Sequence, residues 1–343
     1  MNTNMTFLSV FSGRKSSSLL ALVCSSPAKV LRLGHMSRQH DPFKIGIIGC
    51  GKVGMTTAYA LLLKGVPSEL VLIGRKQAEV EGEQLDLEHG MSFMDRATVT
   101  ASTDYAALQG CDLVFFTAGA AQAEGETRLD LAAKNKAIVS ELMPQIVQNA
   151  PDAVIVMVTN PVDVLTFHAA QIAGKPFGQV FGSGTLLDTS RFRFHLSEFL
   201  NVNPRSIHSY ILGEHGDSSF PVIHGASVGG QPLSTLEGFT TERVMEAYQM
   251  ARDAAYKVIQ GKGATYYAIA TVLAHIAKAI KQDARSVMPV SVPLENYYGH
   301  SGVSFSVPCI VGRGGVVRPL QIELSEQEQQ QLSHSVQTIR QYL

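Results

Sequence analysis

FKIGIIGCGKVGMTTAYALLLKG, residues 43–65, decides the fold. A short apolar run ends in the pattern GCGKVG and passes straight into a segment with helical apolar spacing that Gly65 closes. Alone, glycines at 49, 51 and 54 are a weak signal. Between a strand and a helix they have a physical purpose. They permit a tight turn and let the backbone approach a pyrophosphate, which sits on the helix N-terminus. Lys52 and Val53 complete that turn.

Working outward, ELVLIGR predicts a second strand. DLVFFTAG, residues 112–119, predicts the next, and DAVIVMVTNPVDV, residues 152–164, a fourth, with helical stretches between them. Regular alternation of strand and helix predicts an α/β chain with a parallel, doubly wound sheet, a Rossmann dinucleotide-binding domain over residues 43–183. Thr117, Ala118 and Gly119, at a strand end, are expected beside the cofactor. After Leu212 the chain reads as long helices, followed by two strands around the Gly-rich turn of VSFSVPCIVGRGGVVRPLQIEL. Residues 184–343 are therefore expected to form a mixed α+β substrate domain. The end opens with a capping box at Ser325 and Glu328 and spaces Leu332, Val336, Ile339 and Leu343 along one helix face.

The 343 residues are 45% hydrophobic and 17% charged with a net charge of −1, an ordinary globular composition that leaves no electrostatic footprint for nucleic acid or an anionic membrane. Cys24, Cys50, Cys111 and Cys309 are scattered, so neither disulfides nor a metal site is expected, and a reducing compartment is. Apolar runs are of strand length, too short to span a bilayer. Residues 1–40 stand apart as a leader with no Asp or Glu, five Lys or Arg and eight Ser. This is the composition of a transit peptide to mitochondrion or plastid. The other readings are a disordered extension or a start codon placed too early, with Met36 opening a 308-residue cytoplasmic protein.

Chemistry concentrates in ILGEHGDS, residues 211–218, and LLDTSRFRF, residues 186–194. His215 precedes Gly216 and Asp217, residues that suit a side chain presented at the lip of a cleft. Asp188 and Arg191 are three apart, on one face if the segment is helical. An aspartate that accepts the far N–H of an imidazole fixes its tautomer and stabilises its protonated form, and an arginine fork matches a carboxylate. The alternative is a buried His–Asp pair beside a surface arginine.

From about Phe43 to the C-terminus these motifs resemble the L-lactate dehydrogenases of the lactate and malate dehydrogenase superfamily. The resemblance implies hydride transfer between NAD(P)H and pyruvate, giving L-lactate. His215 would be the proton donor, Asp188 its orienting partner and Arg191 the carboxylate clamp. It makes TAGAAQAEGETRLDL a lid that brings Arg128 onto the reacting carbonyl; otherwise Arg128 is a helix-surface cation. Gln122 falls where malate dehydrogenases carry an arginine, and a neutral amide cannot offset the burial of a second carboxylate, so pyruvate is the expected substrate. Asn160 is implied to bond the substrate oxygen and to touch the cofactor, and Thr265 to wall the substrate methyl; either could be structural instead. The alternatives are malate or another 2-hydroxy acid, and, in another class, a catalytically idle dinucleotide-binding protein.

One position departs from the dinucleotide pattern. At the end of the second strand, where NAD-binding folds place an acid on the ribose hydroxyl, stands Gly74, followed by Arg75. NADP(H) is therefore expected to be accepted, with NAD(H) as the alternative if Arg75 is only a solvated cation. Arg193, two residues past Arg191 and on the other side of a helix, must face elsewhere. By the bacterial resemblance it and His208 bind fructose 1,6-bisphosphate across a two-fold axis of a homotetramer, or else form only surface and interface.

Overall fold

In a computed structural model of the chain, residues 42–121 and 127–343 are described, and they form one compact unit. The nucleotide half runs β1 (Lys44–Ile48), α1 (Lys52–Leu63), β2 (Glu69–Ile73), α2 (Gln77–His89), β3 (Thr98–Ser102), β4 (Leu113–Phe116), α3 (Arg128–Asn149), β5 (Val154–Met157), α4 (Val162–Ala173) and β6 (Val180–Gly182). There follow α5 (Leu186–Leu200), β7 (Ile207–Leu212), β8 (Phe220–Val228), β9 (Gln231–Pro232), α6 (Thr241–Lys262) and α7 (Tyr267–Lys281). The chain ends in β10 (Ser286–Leu294), β11 (Val303–Gly312), β12 (Gly315–Pro319) and α8 (Glu326–Arg340).

The main sheet has the order β12-β11-β10-β6-β5-β4-β1-β2-β3. Its six strands from β3 to β6 are parallel and wind outward in both directions from β1 and β4, as the alternation in the sequence predicts. Side chains that alternate along each strand feed two cores, one on each face. Leu113 and Phe115 of β4 point into one, with Leu61 of α1 and Ile276 of α7; Val114 and Phe116 point into the other, with Met143 of α3 and Leu165 of α4. A sheet buried on both faces needs continuous apolar strands, which is why β1, β2, β4 and β5 stand out in the sequence. A second, antiparallel sheet, β7-β8-β9, packs with α5 and α6 around a third cluster that includes Phe192, Ile211 and Val244.

Several features differ from the sequence reading. The main sheet runs across the expected 183/184 boundary, since β10 pairs with β6 through Ser291 and Gly182 and carries β11 and β12 beyond it. The fourth predicted strand is shorter: β5 ends at Met157, and Pro161 caps α4, which takes Val162 to Val164 into a helix. Strands β3, β6, β7, β8, β9 and β10 are additional to those the sequence predicts. The capping box at Ser325 and Glu328 forms as predicted and Leu332, Val336 and Ile339 are buried, but the helix stops at Arg340 and leaves Leu343 exposed. The leader, residues 1–40, lies outside the described residues.

Candidate active site

Six connections converge at the carboxyl ends of the parallel strands, where ligands of open α/β sheets bind. They line a cleft of about 740 Å³ to which Val53, Asn160, Asp188, Arg191, His215 and Thr265 all contribute.

The first is the glycine turn between β1 and α1. Gly49 has φ +101°, and a β-carbon there would meet the Ala118 nitrogen at 2.7 Å; one at Gly54 would fall 2.0 Å from the Gly49 oxygen. Thr117 fastens the turn from the end of β4, its hydroxyl donating to the oxygens of Gly49 at 2.8 Å and Ile48 at 3.0 Å. At Gly51 the space is open. Gly51 caps α1 with no side-chain hydrogen bond and no acid in the first turn, so this helix N-terminus is left to an anion from outside. A dinucleotide pyrophosphate fits that cradle. Lys52 lies beside it with its ammonium 6.0 Å from the Tyr266 ring.

The end of β4 is shaped by two residues the sequence reading passed over. Asn135 of α3 accepts the Ala120 N–H at 2.8 Å and donates to the Asn160 oxygen at 2.8 Å; Thr159 donates to the Ala118 oxygen at 2.7 Å. A β-carbon at Gly119 would lie 2.2 Å from the Thr159 methyl. Ala118, Gly119 and Asn160 are thus held in one layer. Asn135 is the detectable one: flanked by Lys134 and Lys136, it nevertheless shares a helix face with Leu131, Ala132, Ile138 and Val139, where an amide weakens the helix unless the fold uses it.

At the far end of the turn, Gly74 is confined by packing. A β-carbon there would stand 2.2 Å from a methyl of Val80, so α2 occupies the place where an acidic residue would begin. Arg75 is exposed, and its neighbour Lys76 pairs with Glu79 at 2.7 Å.

The chemical centre is built by α5 and the loop after β7. Gly213, at φ +87°, exchanges two hydrogen bonds with Ser306 of β11 and would bring a β-carbon to 2.4 Å from the Ser335 hydroxyl of α8. Only glycine turns the chain there without strain. Glu214 is buried next to it and accepts the Ser218 hydroxyl at 2.5 Å, while the Glu214 N–H donates to Ser335 at 2.7 Å. His215 is then delivered to the cleft. Its Nδ1 lies 2.5 Å from Asp188 Oδ2, and Arg191 donates to Asp188 Oδ1 at 3.1 Å. From behind, the His215 N–H donates to Asp163 of α4 at 2.7 Å, and Asp163 accepts the Ser291 hydroxyl of β10 at 2.6 Å.

These contacts set the charges. Asp188, beside the ring, pushes the His215 proton affinity up to about 8 against the opposing effect of burial, a bias of about 2 kcal/mol toward imidazolium. Burial pulls the Asp188 carboxyl upward, but the imidazolium and Arg191 together hold it below the ordinary range. Asp163 is pushed up to about 6, by burial above all. The arrangement presents a protonated ring with Nε2 free of the carboxylate, next to an arginine fork.

Thr265, in the turn between α6 and α7, lines the same cleft, and its hydroxyl oxygen is buried with no hydrogen-bond partner among the described residues. Arg128 is the first residue of α3, whose start is fixed by a capping box of Thr127 and Asp130. Gln122 lies outside the described residues. Arg193 does face away from the cleft: its Nε donates to the Ser209 oxygen at 2.9 Å and its guanidinium lies 5.2 Å from the Tyr210 ring. His208 is exposed on β7. Among the described residues no cluster of His, Cys, Asp or Glu is suited to a metal ion, and no helix is long and apolar enough to cross a membrane.

Comparison with known proteins agrees with this architecture along nearly its whole length. Residues 43–182 match the lactate/malate dehydrogenase NAD binding domain, and residues 185–343 match the alpha/beta C-terminal domain of the same family. An L-lactate dehydrogenase of Clostridium botulinum is 41% identical over 312 residues, covering 89% of this chain and 97% of the relative. One from Synechococcus sp. is 43% identical over 301 residues, covering 88% and 98%. Among solved structures, the minor L-lactate dehydrogenase of Enterococcus mundtii superposes with a TM-score of 0.84 at 38% identity, covering 88% of this chain and 97% of that one. A lactate dehydrogenase from a Medee basin deep-sea metagenome gives 0.85 at 35%, covering 88% and 98%. With both halves matched in order and the cleft formed where they meet, the chain belongs to the lactate/malate dehydrogenase family.

Proposed function

We propose that this chain catalyses the reversible reduction of pyruvate to L-lactate with a nicotinamide dinucleotide, through a nucleotide domain over residues 43–183 and a substrate domain over residues 184–343. The observation that carries the reading is the hydrogen-bonded row His215–Asp188–Arg191, facing the same cleft as the glycine turn. Gly49, Gly51, Val53 and Gly54 would hold the pyrophosphate, with Lys52 beside them, and Thr117, Ala118, Gly119 and Asn160 would flank the nicotinamide half. When bound in reduced form, that group supplies the hydride.

The protein does the rest. Arg191 spends one N–H on Asp188 and keeps others for the substrate carboxylate, and a bidentate pair fixes the plane of the keto acid. Asp188 occupies Nδ1 of His215, which leaves Nε2 to donate to the ketone oxygen. Arg128, at the head of the helix that follows the lid segment, adds positive charge where negative charge develops on that oxygen. His215 gives up its proton as the alcohol forms and takes it back in the reverse direction. The Thr265 hydroxyl, which has no partner among the described residues, and Asn160 border the substrate. Gln122 favours pyruvate over oxaloacetate because it offers no counter-charge to a second carboxylate.

The adenosine end favours a 2′-phosphate. Gly74 and Val80 leave no room for the acid that would repel it, and Arg75 stands exposed next to the site, so NADP(H) is used alongside or in preference to NAD(H). Arg193, bonded to Ser209 of β7, and His208, exposed on the same strand, are read as the fructose 1,6-bisphosphate pocket of a homotetramer. His215→Gln tests the core of the reading: dinucleotide binding followed by fluorescence should persist while reduction of pyruvate falls roughly a thousandfold. Retained turnover would transfer the proton to another group, and an idle binding protein would show no turnover in wild type either.

A further inference from the structure

The main chain of His215 is held as closely as its ring. Its N–H donates to Asp163 Oδ2 at 2.7 Å, and the Ser291 hydroxyl donates to Asp163 Oδ1 at 2.6 Å. Asp163 is 2% exposed and Ser291 is fully buried. Three elements distant in sequence meet here: α4, β10 and the loop after β7. A single carboxylate, with both oxygens engaged, therefore ties the catalytic loop to the sheet. Asp163 also sits in the first turn of α4, three residues beyond Asn160, so the anchor of the imidazole and an edge of the substrate cleft ride on the same helix start.

We propose that Asp163 is a positioning residue for proton transfer: its carboxylate fixes the His215 backbone and supplies, after Asp188, a second negative charge that favours the protonated ring. The proposal rests on the reading of His215 as proton donor. Among the described residues, the charged groups facing Asp163 are His215 and Glu214 of the loop after β7; behind His215 stand Asp188 and Arg191 of α5, and β10 presents only the neutral Ser291. Burial raises Asp163 to about 6 and Glu214 adds to the rise, while Ser291, the backbone bond and His215 oppose it. A proton on Asp163 turns one acceptor oxygen into a donor. The Ser291 hydroxyl must then reverse its bond or lose it, and the His215 N–H is left on a neutral carboxyl rather than on an anion, which weakens the anchor and removes its charge from the ring. Below this point His215 is already protonated, so a scheme with that residue alone predicts a flat rate of pyruvate reduction in acid. The anchor predicts an acid limb.

The test follows pyruvate reduction across pH in wild type, Asp163→Asn and Ser291→Ala, with the His215 ring titrated by NMR in protein carrying 13C-labelled histidine. Wild type should lose rate as the pH falls through about 6. Asp163→Asn should lower kcat about tenfold or more, with less effect on KM and none on dinucleotide affinity, because a misplaced proton donor costs rate rather than binding. It should also abolish the acid limb and move the ring titration to lower pH. Ser291→Ala removes a donor from the anion and should move the acid limb to higher pH. Wild-type kcat and an unmoved His215 titration in Asp163→Asn would overturn the proposal. If that variant does not fold, an acid limb unmoved in Ser291→Ala overturns it and a raised one supports it. The ring titration reads the effect of Asp163 even where no pyruvate is turned over, so failure of the anchor and failure of the proposed activity are told apart.

Discussion

A methyl of Val80 stands 2.2 Å from the point where a β-carbon on residue 74 would begin, so the end of β2 is closed to an acidic side chain by a neighbour on α2. The relationship turns a missing carboxylate into a packing feature and gives cofactor choice a two-residue determinant.

It changes what a substitution should do. Gly74→Asp alone must displace Val80 and should lose stability, by about 1–3 kcal/mol for overpacking, before it gains affinity. Gly74→Asp with Val80→Ala makes the room, and NADH should then bind better than NADPH. Arg75→Ala should weaken NADPH alone. Fluorescence titrations of both dinucleotides check this; tenfold tighter NADH binding in wild type, unchanged by Arg75→Ala, would remove the 2′-phosphate reading.

The pH dependence follows from His215, whose folded value, about 8, lies above the ordinary one of 6.5 because Asp188 attracts the proton. Reduction of pyruvate needs the imidazolium, so on the alkaline side kcat/KM should be full below that point and lost as pH rises through it. Oxidation of lactate needs the neutral ring and should rise through the same point. Asp188→Asn removes the attraction and should shift both profiles toward acid, with a loss of roughly a hundredfold or more in rate. Stopped-flow rates across pH measure both directions.

Substrate choice is expected to turn on residue 122. Gln122→Arg would supply the missing counter-charge to oxaloacetate, and a desolvated pair of this kind shifts discrimination by several kcal/mol. The ratio of kcat/KM for oxaloacetate and pyruvate should swing by about a hundredfold or more toward oxaloacetate.

Arg193 already gives one N–H to Ser209 and lies against Tyr210, so it is rigid, and an arginine retains further donors for phosphate. Fructose 1,6-bisphosphate should raise the apparent affinity for pyruvate. Arg193→Gln should abolish the response and leave the rate at saturating pyruvate largely intact. Sedimentation should report a tetramer. Hyperbolic kinetics with no response to the sugar phosphate would reduce the pocket to an interface.

What the sequence made legible follows physical lines. β1, β2, β4 and β5 are buried on both faces and read as apolar runs. β3 is the edge strand TVTAS, where only Val99 is buried, and so it forms no such run. β10 was hidden by its prolines. Pro289 faces Pro308 across an antiparallel pair, and residues without N–H can face one another only where the ladder exchanges no hydrogen bond, so the strand keeps its bonds. The pair Asp188 and Arg191 was legible because helical spacing predicts contact at three residues. Asp163, 52 residues from His215 and 128 from Ser291, was not, since nothing local marks a carboxylate whose partners come from other elements.

Steady-state oxidation of NADH and NADPH with pyruvate against oxaloacetate tests the assigned substrate and reaction together. The kcat/KM for pyruvate should lie at least about a hundredfold above that for oxaloacetate, with L-lactate as product, because burying an unpaired second carboxylate beside a glutamine is unfavourable. Faster reduction of oxaloacetate than of pyruvate by the wild-type protein would contradict it.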